Sequence, residues 1–600
     1  MNKKNVTWRA FKMYYGFWPS YFPLKASVIL LNKFSPYFNL WMSAEIVTAL
    51  YQGRERKEIF LLVAVVLLGN LFLRVGEAFL GRNAQSALEK LENHQAAAFY
   101  RKTLSLDYDK LEDPRVRLLR RKIRENSWIN GYGVEHMRWR VEELISSVAE
   151  LVFSAVLVTE MLTLMAKSSF RWEGVLFFLL IVGSVVLAVV FQAVNDRKLA
   201  KYVDEVGELM LRENQFSAGT RVTGMDNRIY RQQELLDRLE KKLLEEHLKV
   251  FTKSCSMKFR ASVPRYVFSR LARLSASLLI CLYCIRGFFP IGSVIKYVGY
   301  LGRTVESVKS LFFCISQLKS NERFLETWLE YFDIENEMYQ GSLAVEKRSD
   351  GQFEIAFRNV SFCYAGSDTC ALKNINLNLR PGERLAVVGM NGSGKTTFIK
   401  LLCRLYDPTE GEVILNDFNV RKYDYRQYLD LFSVVFQDYN LLQVPLGNNV
   451  ASAAEWDEEK AVRLLERTGF GERYAKMPKG LETPLYKSFD EDGVNISGGE
   501  AQKIALARAL YRDASFIILD EPTAALDPIA ESEIYSRFDE IVGNRTAIYI
   551  SHRLSSCRFC DRIAVFDRGE IVQLGTHEEL LADEQGKYHE LWYAQAQYYR

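Results

Sequence analysis

The stretch Gly389-Met390-Asn391-Gly392-Ser393-Gly394-Lys395-Thr396 constrains this 600-residue chain more than any other. Residues 384–388 before it read as a buried strand, and residues 397–402 after it read as a helix. A strand, the spacing G-x-x-x-x-G-K-[ST] and a helix together wrap a loop around phosphate groups. Gly389, Gly392 and Gly394 let the backbone curl with its N–H groups turned inward, and Asn391 and Ser393 lie in the same wrap. Lys395 carries a positive charge to the β- and γ-phosphate oxygens. The Thr396 hydroxyl is placed to ligate Mg2+, and Thr397 follows it in the first turn. The helix opening at Lys395 adds its N-terminal dipole.

A second stretch supplies what a phosphate cradle lacks. Phe516-Ile517-Ile518-Leu519 is an apolar run ending in Asp520-Glu521. A buried strand there delivers Asp520 to the phosphates, where it holds Mg2+ directly or through water. Glu521 is then placed to orient or deprotonate an attacking water. Upstream, residues 353–357 and 360–364 alternate with period two and read as two strands. Tyr364 stands about 25 residues before the loop, and two readings are open for it: stacking on an adenine face, or a plain sheet residue.

The first half of the chain has a different pattern. Apolar stretches run over about 21–50, 58–80, 144–165, 174–193, 266–289 and 291–318, each of about 20 residues or more. That length crosses a bilayer core of about 30 Å. An even number returns the chain to the side it started from. The links between the second and third stretches and between the fourth and fifth are long and polar, and 13 Lys or Arg lie between Arg82 and Arg140. That excess places the long links in the cytosol. The spanning helices are expected to continue as stalks, with turns near 107–117 and 221–230 as contacts to a cytosolic domain. Residues 1–318 are thus expected to form a membrane domain, 319–350 a linker and 351–600 a nucleotide-binding domain. Trp8, Phe11, Tyr14, Tyr15 and Trp18 mix with Arg9 and Lys12 in a segment suited to the membrane interface. Glu45, Arg74, Glu77, Glu150, Glu160 and Arg273 fall within the apolar stretches. They line a pathway or pair with one another, and Arg74 and Glu77 are three apart on one face.

Composition agrees with a chain that is half membrane and half soluble. Net charge is +4 and aromatic residues make up 13%. Nothing in that balance draws the whole chain to nucleic acid. The nine cysteines suggest no disulfide framework, and thiols beside a cytosolic nucleotide site are expected to stay reduced. Cys557-x-x-Cys560 has no second pair to support a metal site.

The most specific segment is Asn495-Ile496-Ser497-Gly498-Gly499-Glu500-Ala501-Gln502-Lys503. It closely resembles the LSGGQ signature of the ATP-binding-cassette (ABC) superfamily. Gln437 in Val434-Val435-Phe436-Gln437-Asp438 matches that family's Q-loop. Asp527 in Ala525-Leu526-Asp527 matches its D-loop, His552 in Ile550-Ser551-His552-Arg553 its H-switch, and Tyr364 its A-loop. Six spans ahead of such a cassette resemble an ABC exporter half-transporter, with long transmembrane helices followed by an α/β P-loop ATPase.

The resemblance implies ATP as ligand and ATP hydrolysis as activity. It implies a second half-transporter as partner, in a homodimer or a heterodimer. Each ATP would lie between one P-loop and the Ser497, Gly498 and Gly499 of the other chain. Gln437 would ligate Mg2+ and sense the membrane helices, and His552 would contact the γ-phosphate. The location implied is a bacterial plasma membrane, with the N-terminus and the nucleotide-binding domain in the cytosol. Export of a peptide, lipid or drug-like substrate by alternating access is the leading reading. An importer, a regulatory non-pumping module and a soluble ABC ATPase are the alternatives. Glu500 departs from the signature's usual Gln: it weakens that half of the site, or it points away from the phosphates.

Overall fold

The computed structural model describes residues 5–596, apart from 129–130, most of 167–223, 289, 348–351, 368, 488–490, 523–541 and 552–553. The chain divides into two compact units. One is Met1–Leu106 with Pro114–Glu335; the other is Asp107–Asp113 with Asn336–Arg600.

The first unit is helical. It contains α1 (Val6–Phe17), α2 (Tyr21–Tyr51) and α3 (Arg56–Ser105). After α4 (Tyr108–Glu112), which belongs to the second unit, come α5 (Pro114–Trp128), α6 (Val134–Ala166), α7 (Gly224–Ile229), α8 (Gln233–Ile285) and α9 (Ile291–Phe332). At about 1.5 Å per residue the 50 residues of α3 span about 75 Å, more than twice a bilayer core. Among the described residues, α3 and α8 are the two helices long and apolar enough to cross a membrane. Phe60, Leu61, Leu67, Leu68 and Phe72 of α3 are all more than half exposed. A soluble surface rarely leaves such a stripe bare. The stretch expected at 174–193 lies mostly outside the described residues, as does the start of the turn expected at 221–230.

Small residues and paired polar groups bring these helices together. A side chain at Gly292 would strike the Ala44 carbonyl oxygen at 2.1 Å, so α9 crosses α2 backbone to backbone. Asn39 and Asn70 exchange amide hydrogen bonds of 3.1 and 2.7 Å between α2 and α3. Glu150 of α6 is buried between two cations, Lys33 of α2 at 3.1 Å and Arg303 of α9 at 3.0 Å. Arg74 and Glu77 pair along one face of α3 at 3.1 Å. Arg273 lies 3.8 Å from Glu306. Glu45 is partly exposed, and the side chain of Glu160 lies outside the described residues.

The second unit holds two sheets. The antiparallel sheet has the order β2-β1-β4-β5, with β1 at Ile355–Phe362, β2 at Leu372–Leu379, β4 at Glu410–Leu415 and β5 at Phe418–Asn419. The two strands expected over 353–364 are one. The register slips between Phe357 and Val360, where Asn359 takes a φ of +49°. A bulge there restarts the alternation and mimics a break in the sequence pattern.

The larger sheet has the order β10-β9-β3-β8-β7-β6. Its strands are β3 (Arg384–Gly389), β6 (Phe432–Val435), β7 (Phe516–Asp520), β8 (Thr546–Ile550), β9 (Arg562–Asp567) and β10 (Glu570–Gly575). Five strands are parallel and β10 is an antiparallel edge. Every residue of β7 and β8 is buried, as expected for parallel strands covered on both faces. The carboxyl ends of β3, β6, β7 and β8 therefore share one edge. In such sheets that edge is where ligands bind.

Candidate nucleotide site

The phosphate loop leaves β3 at Gly389 and enters α10 (Lys395–Leu402) through Gly394, whose φ is +105°. A Cβ at Gly394 would lie 2.7 Å from Leu372 and 2.8 Å from the Ala371 carbonyl oxygen. One at Gly389 would lie 2.2 Å from the Phe566 carbonyl oxygen. At Gly392, with φ +79°, a Cβ would meet nothing within 4 Å. Two glycines are thus fixed by their neighbours, while the third faces open space at the crown. Asn391 and Thr396 are exposed there, and Thr397 is buried. Lys395 is buried, and its amine donates to the carbonyls of Gly389 (2.8 Å) and Met390 (3.0 Å). Burial pulls its pKa down against the opposing pull of Glu521 and Asp520.

Asp520 ends β7. It is 3% exposed, and among the described residues its Oδ2 has no hydrogen-bond partner. Burial, with the Glu521 charge beside it, pushes its pKa to about 6, against the attraction of Lys395. Ser393 Oγ is also buried without a partner among the described residues. A buried acid oxygen and a buried hydroxyl left open beside a phosphate cradle fit a polyphosphate carrying Mg2+.

Glu521 follows in the left-handed region at φ +50°, uncommon for a residue with a side chain. Its N–H donates to the Ile550 carbonyl at 3.0 Å, and its own carbonyl accepts from Gln502 Nε2 at 3.1 Å. The backbone is pinned on both sides, so the side chain is aimed by the fold. Gln437, just beyond β6, donates from Nε2 to Glu521 Oε2 at 2.9 Å.

Tyr364 is held by a contact of 3.0 Å between its hydroxyl and that of Thr397, and its ring stands edge-on to Phe362 and Tyr406. Cys363 and Cys370 on either side of it form a disulfide. This corrects the expectation of reduced thiols. The strand end and the return into β2 bring two cysteines seven residues apart to a Cα separation of 4.0 Å, which spacing along the chain does not disclose. Cys557 and Cys560 are free and buried, and no metal-binding cluster occurs among the described residues.

Ser497 caps α13 (Gly498–Arg512), which follows α11 (Glu458–Arg467) and α12 (Gly471–Tyr474). Ser497 and Gly498 are exposed, and Gly499 is partly so. The Gly498 carbonyl accepts from the Tyr439 hydroxyl at 3.1 Å, which ties the segment after Gln437 to the signature. Asp527 and His552 lie outside the described residues. Three participants carried no sequence signal as site residues: Gln502 behind Glu521, Tyr406 against Tyr364, and Arg473 of α12 beside Glu500. Only the fold brings them there.

The segment Asp107–Asp113 shares the unit of this site. Glu112 accepts from the Tyr406 hydroxyl at 2.8 Å and pairs with Lys400 of α10 at 3.3 Å. Asp107 Oδ2 accepts the backbone N–H groups of Glu337 and Met338.

The chain is also similar to known proteins. Residues 372–524 match the family model described as ABC transporter. The subtilin transport ATP-binding protein SpaT of Bacillus subtilis is 37% identical over 300 residues, 49% of this chain and 48% of that protein. The ATP-dependent lipid A-core flippase of Escherichia coli K12 is 34% identical over 333 residues, 54% of this chain and 55% of that protein. The chain thus spans about half the length of the curated relatives it matches. A solved structure described as a bacterial Atm1-family ABC exporter with ATP bound superposes with a TM-score of 0.72. It covers 95% of this chain and 97% of that one at 19% identity. The chain has the ABC exporter fold, a helical N-terminal region followed by an α/β ATPase domain. Residues 372–524 form an ATP-binding domain of the ABC transporter family.

Proposed function

We propose that the chain is one half of an ATP-driven exporter and that it hydrolyses ATP at the edge formed by β3, β6, β7 and β8. The observation that carries this reading is the convergence of Lys395, Ser393, Asp520, Glu521 and Gln437 on that edge, with buried oxygens of Ser393 and Asp520 open to a ligand.

Each residue has a role that follows from its surroundings. The loop N–H groups and Lys395 bind the phosphates, and Lys395 exchanges two carbonyl partners for phosphate oxygens. Thr396, Asp520 and Gln437 are the groups to hold Mg2+, which, when bound, neutralises charge on the β- and γ-phosphates. Glu521, held by Gln437, orients the attacking water and accepts its proton. Tyr364 stacks on the adenine. His552 and Asp527 complete the site by their match to the family pattern. Ser497, Gly498 and Gly499, exposed at the start of α13, complete the site of a second half-transporter.

Glu112 is held by Lys400 of the phosphate-loop helix, which ties the segment Asp107–Asp113 to the nucleotide site. The bare apolar face of α3 supports a helical unit set in a bilayer; our reading is a bacterial plasma membrane with the nucleotide-binding domain in the cytosol. The relatives are named for subtilin transport and for a lipid A-core flippase. Names so unlike one another leave the class of substrate open for this chain. The test is ATP turnover by the purified full chain in lipid nanodiscs. Mg2+-dependent turnover lost in Glu521→Gln supports the reading. Wild-type protein without turnover, or turnover unchanged in that variant, overturns it.

A further inference from the structure

The fifth signature position holds an acid where phosphates are to dock. The Glu500 Oε2 accepts the Ser497 backbone N–H at 2.8 Å and the Ser497 hydroxyl at 2.9 Å. Its other oxygen, Oε1, lies 2.9 Å from Arg473 Nε. Arg473 belongs to α12, and its Nη2 reaches the Asn495 carbonyl, two residues before Ser497, at 3.5 Å. Lys503, one turn along α13, donates to the Gly469 carbonyl at 3.0 Å, on the approach to α12. Burial works against the Glu500 charge, but the two Ser497 hydrogen bonds, Arg473 and Lys503 outweigh it, and the carboxyl stays below its ordinary range.

A neutral amide at this position offers the Ser497 N–H the same acceptor oxygen without a charge. A carboxylate needs a counter-cation, both to limit its repulsion of a polyphosphate and to draw it away from the exposed Ser497 face. The Ser497 hydroxyl has one proton, given to Glu500 here. To bind a γ-phosphate oxygen it must redirect that proton.

We propose that Arg473 is a positioning residue of the shared nucleotide site: by pairing with Glu500 it neutralises the signature carboxylate and frees the Ser497 hydroxyl to donate to the nucleotide of a second copy of this chain. The inference rests on the reading of Ser497, Gly498 and Gly499 as part of that site. Arg473 touches no nucleotide itself, so its effect runs through Glu500 and vanishes when the charge there is removed.

The test is a cycle of full-length proteins in nanodiscs: wild type, R473M, E500Q and R473M/E500Q, with R473K as the conservative variant. Methionine keeps much of the apolar stem, so lost packing is separated from lost charge. The readouts are KM and kcat for ATP, and binding of trinitrophenyl-ATP in an E521Q background, which needs no turnover. R473M is expected to raise KM and the analogue's Kd about tenfold, with kcat within about twofold of wild type. In the E500Q background the same change is expected to alter both by less than about twofold, and R473K is expected to recover most of the loss. An equal effect of R473M in both backgrounds means a structural role and overturns the proposal, as does no effect in either. Should wild type bind the analogue but not turn over ATP, the hydrolysis reading fails while the binding cycle still decides the role of Arg473. Should R473M not fold, R473Q, which also removes the charge, carries the test against R473Q/E500Q: a loss in the first absent from the second supports the proposal, and equal values overturn it.

Discussion

Gln437 donates a hydrogen bond of 2.9 Å from Nε2 to Glu521 Oε2, joining the residue after β6 to the acid after β7. The two follow neighbouring parallel strands, which pair through Val435 and Leu519. Glu521, proposed to orient the attacking water, is therefore tied to the segment that also bonds the signature helix, through Tyr439 and Gly498. Removing the acid should cost more than removing its tether. Glu521→Gln is expected to lower kcat by about 10² to 10⁴-fold and leave ATP binding intact. Gln437→Ala is expected to lower kcat by roughly tenfold. Single-turnover hydrolysis beside equilibrium nucleotide binding separates the two effects.

Asp520 gives a pH signature. Its folded pKa of about 6 lies above the usual carboxylate value, so in the nucleotide-free fold it binds a proton more readily than in the unfolded chain. Its contribution to stability therefore falls as pH rises from about 4 to about 6 and is flat above that. The whole effect is on the order of 3 kcal/mol. Subtracting the pH profile of Asp520→Asn from that of wild type, in nucleotide-free unfolding between pH 4 and 7, isolates it. The stabilisation given by added Mg2+ and ATP should run the other way and shrink below pH 6, because a proton and the metal compete for the same oxygen.

The loop glycines should separate folding from binding. Gly389→Ala meets a carbonyl oxygen at 2.2 Å, so it should destabilise the domain by about 2 kcal/mol or more. Gly392→Ala meets only open space, so its fold cost should be limited to about 1 kcal/mol of backbone strain while ATP affinity falls. Thermal unfolding with and without nucleotide distinguishes them.

Tyr364 should report on the adenine. Tyr364→Ala is expected to raise the KM for ATP about five- to tenfold with little change in kcat, the scale of one lost stacking contact. Non-reducing peptide mapping should recover residues 363 and 370 in one cross-linked fragment. A spectrum with both thiols free would contradict the structure there.

In the helical unit, Glu150 balances Lys33 and Arg303. Glu150→Ala leaves two cations without their shared acid and should cost about 3–5 kcal/mol. Lys33→Met leaves the pair with Arg303 standing and should cost less. Unfolding midpoints in one detergent compare the variants.

Sequence and structure meet unevenly. The phosphate loop, Asp520, Glu521 and Gln437 were legible because each lies at or just beyond a strand end, and strand ends in this sheet share one edge; the signature was legible from its own residue pattern at the start of α13. The expectation that helices run on past the apolar stretches also holds for α3, whose polarity changes while its backbone does not. What was not legible depends on side chains meeting across the fold. Gln502 reaches Glu521 only because α13 lies beside β7, and Arg473 reaches Glu500 from 27 residues away only because α12 lies near the start of α13. The Cys363–Cys370 disulfide failed for another reason: compartment chemistry argued for thiols, while the strand end imposes proximity. The bulge at Asn359 hid a continuous strand, since a shifted register looks like two short alternating runs.

The central claim is that each nucleotide site is shared by two chains. A Lys395→Ala chain with a distinguishable tag, co-assembled with a wild-type chain, tests it most directly. The variant's own loop binds nucleotide poorly, while its Ser497–Gly499 segment remains intact. Photolabelling with a γ-azidoanilide derivative of ATP is predicted to mark the Lys395→Ala chain in the peptide containing Ser497 to Glu500, and only when the wild-type chain is present. Label confined to the wild-type chain would contradict the account.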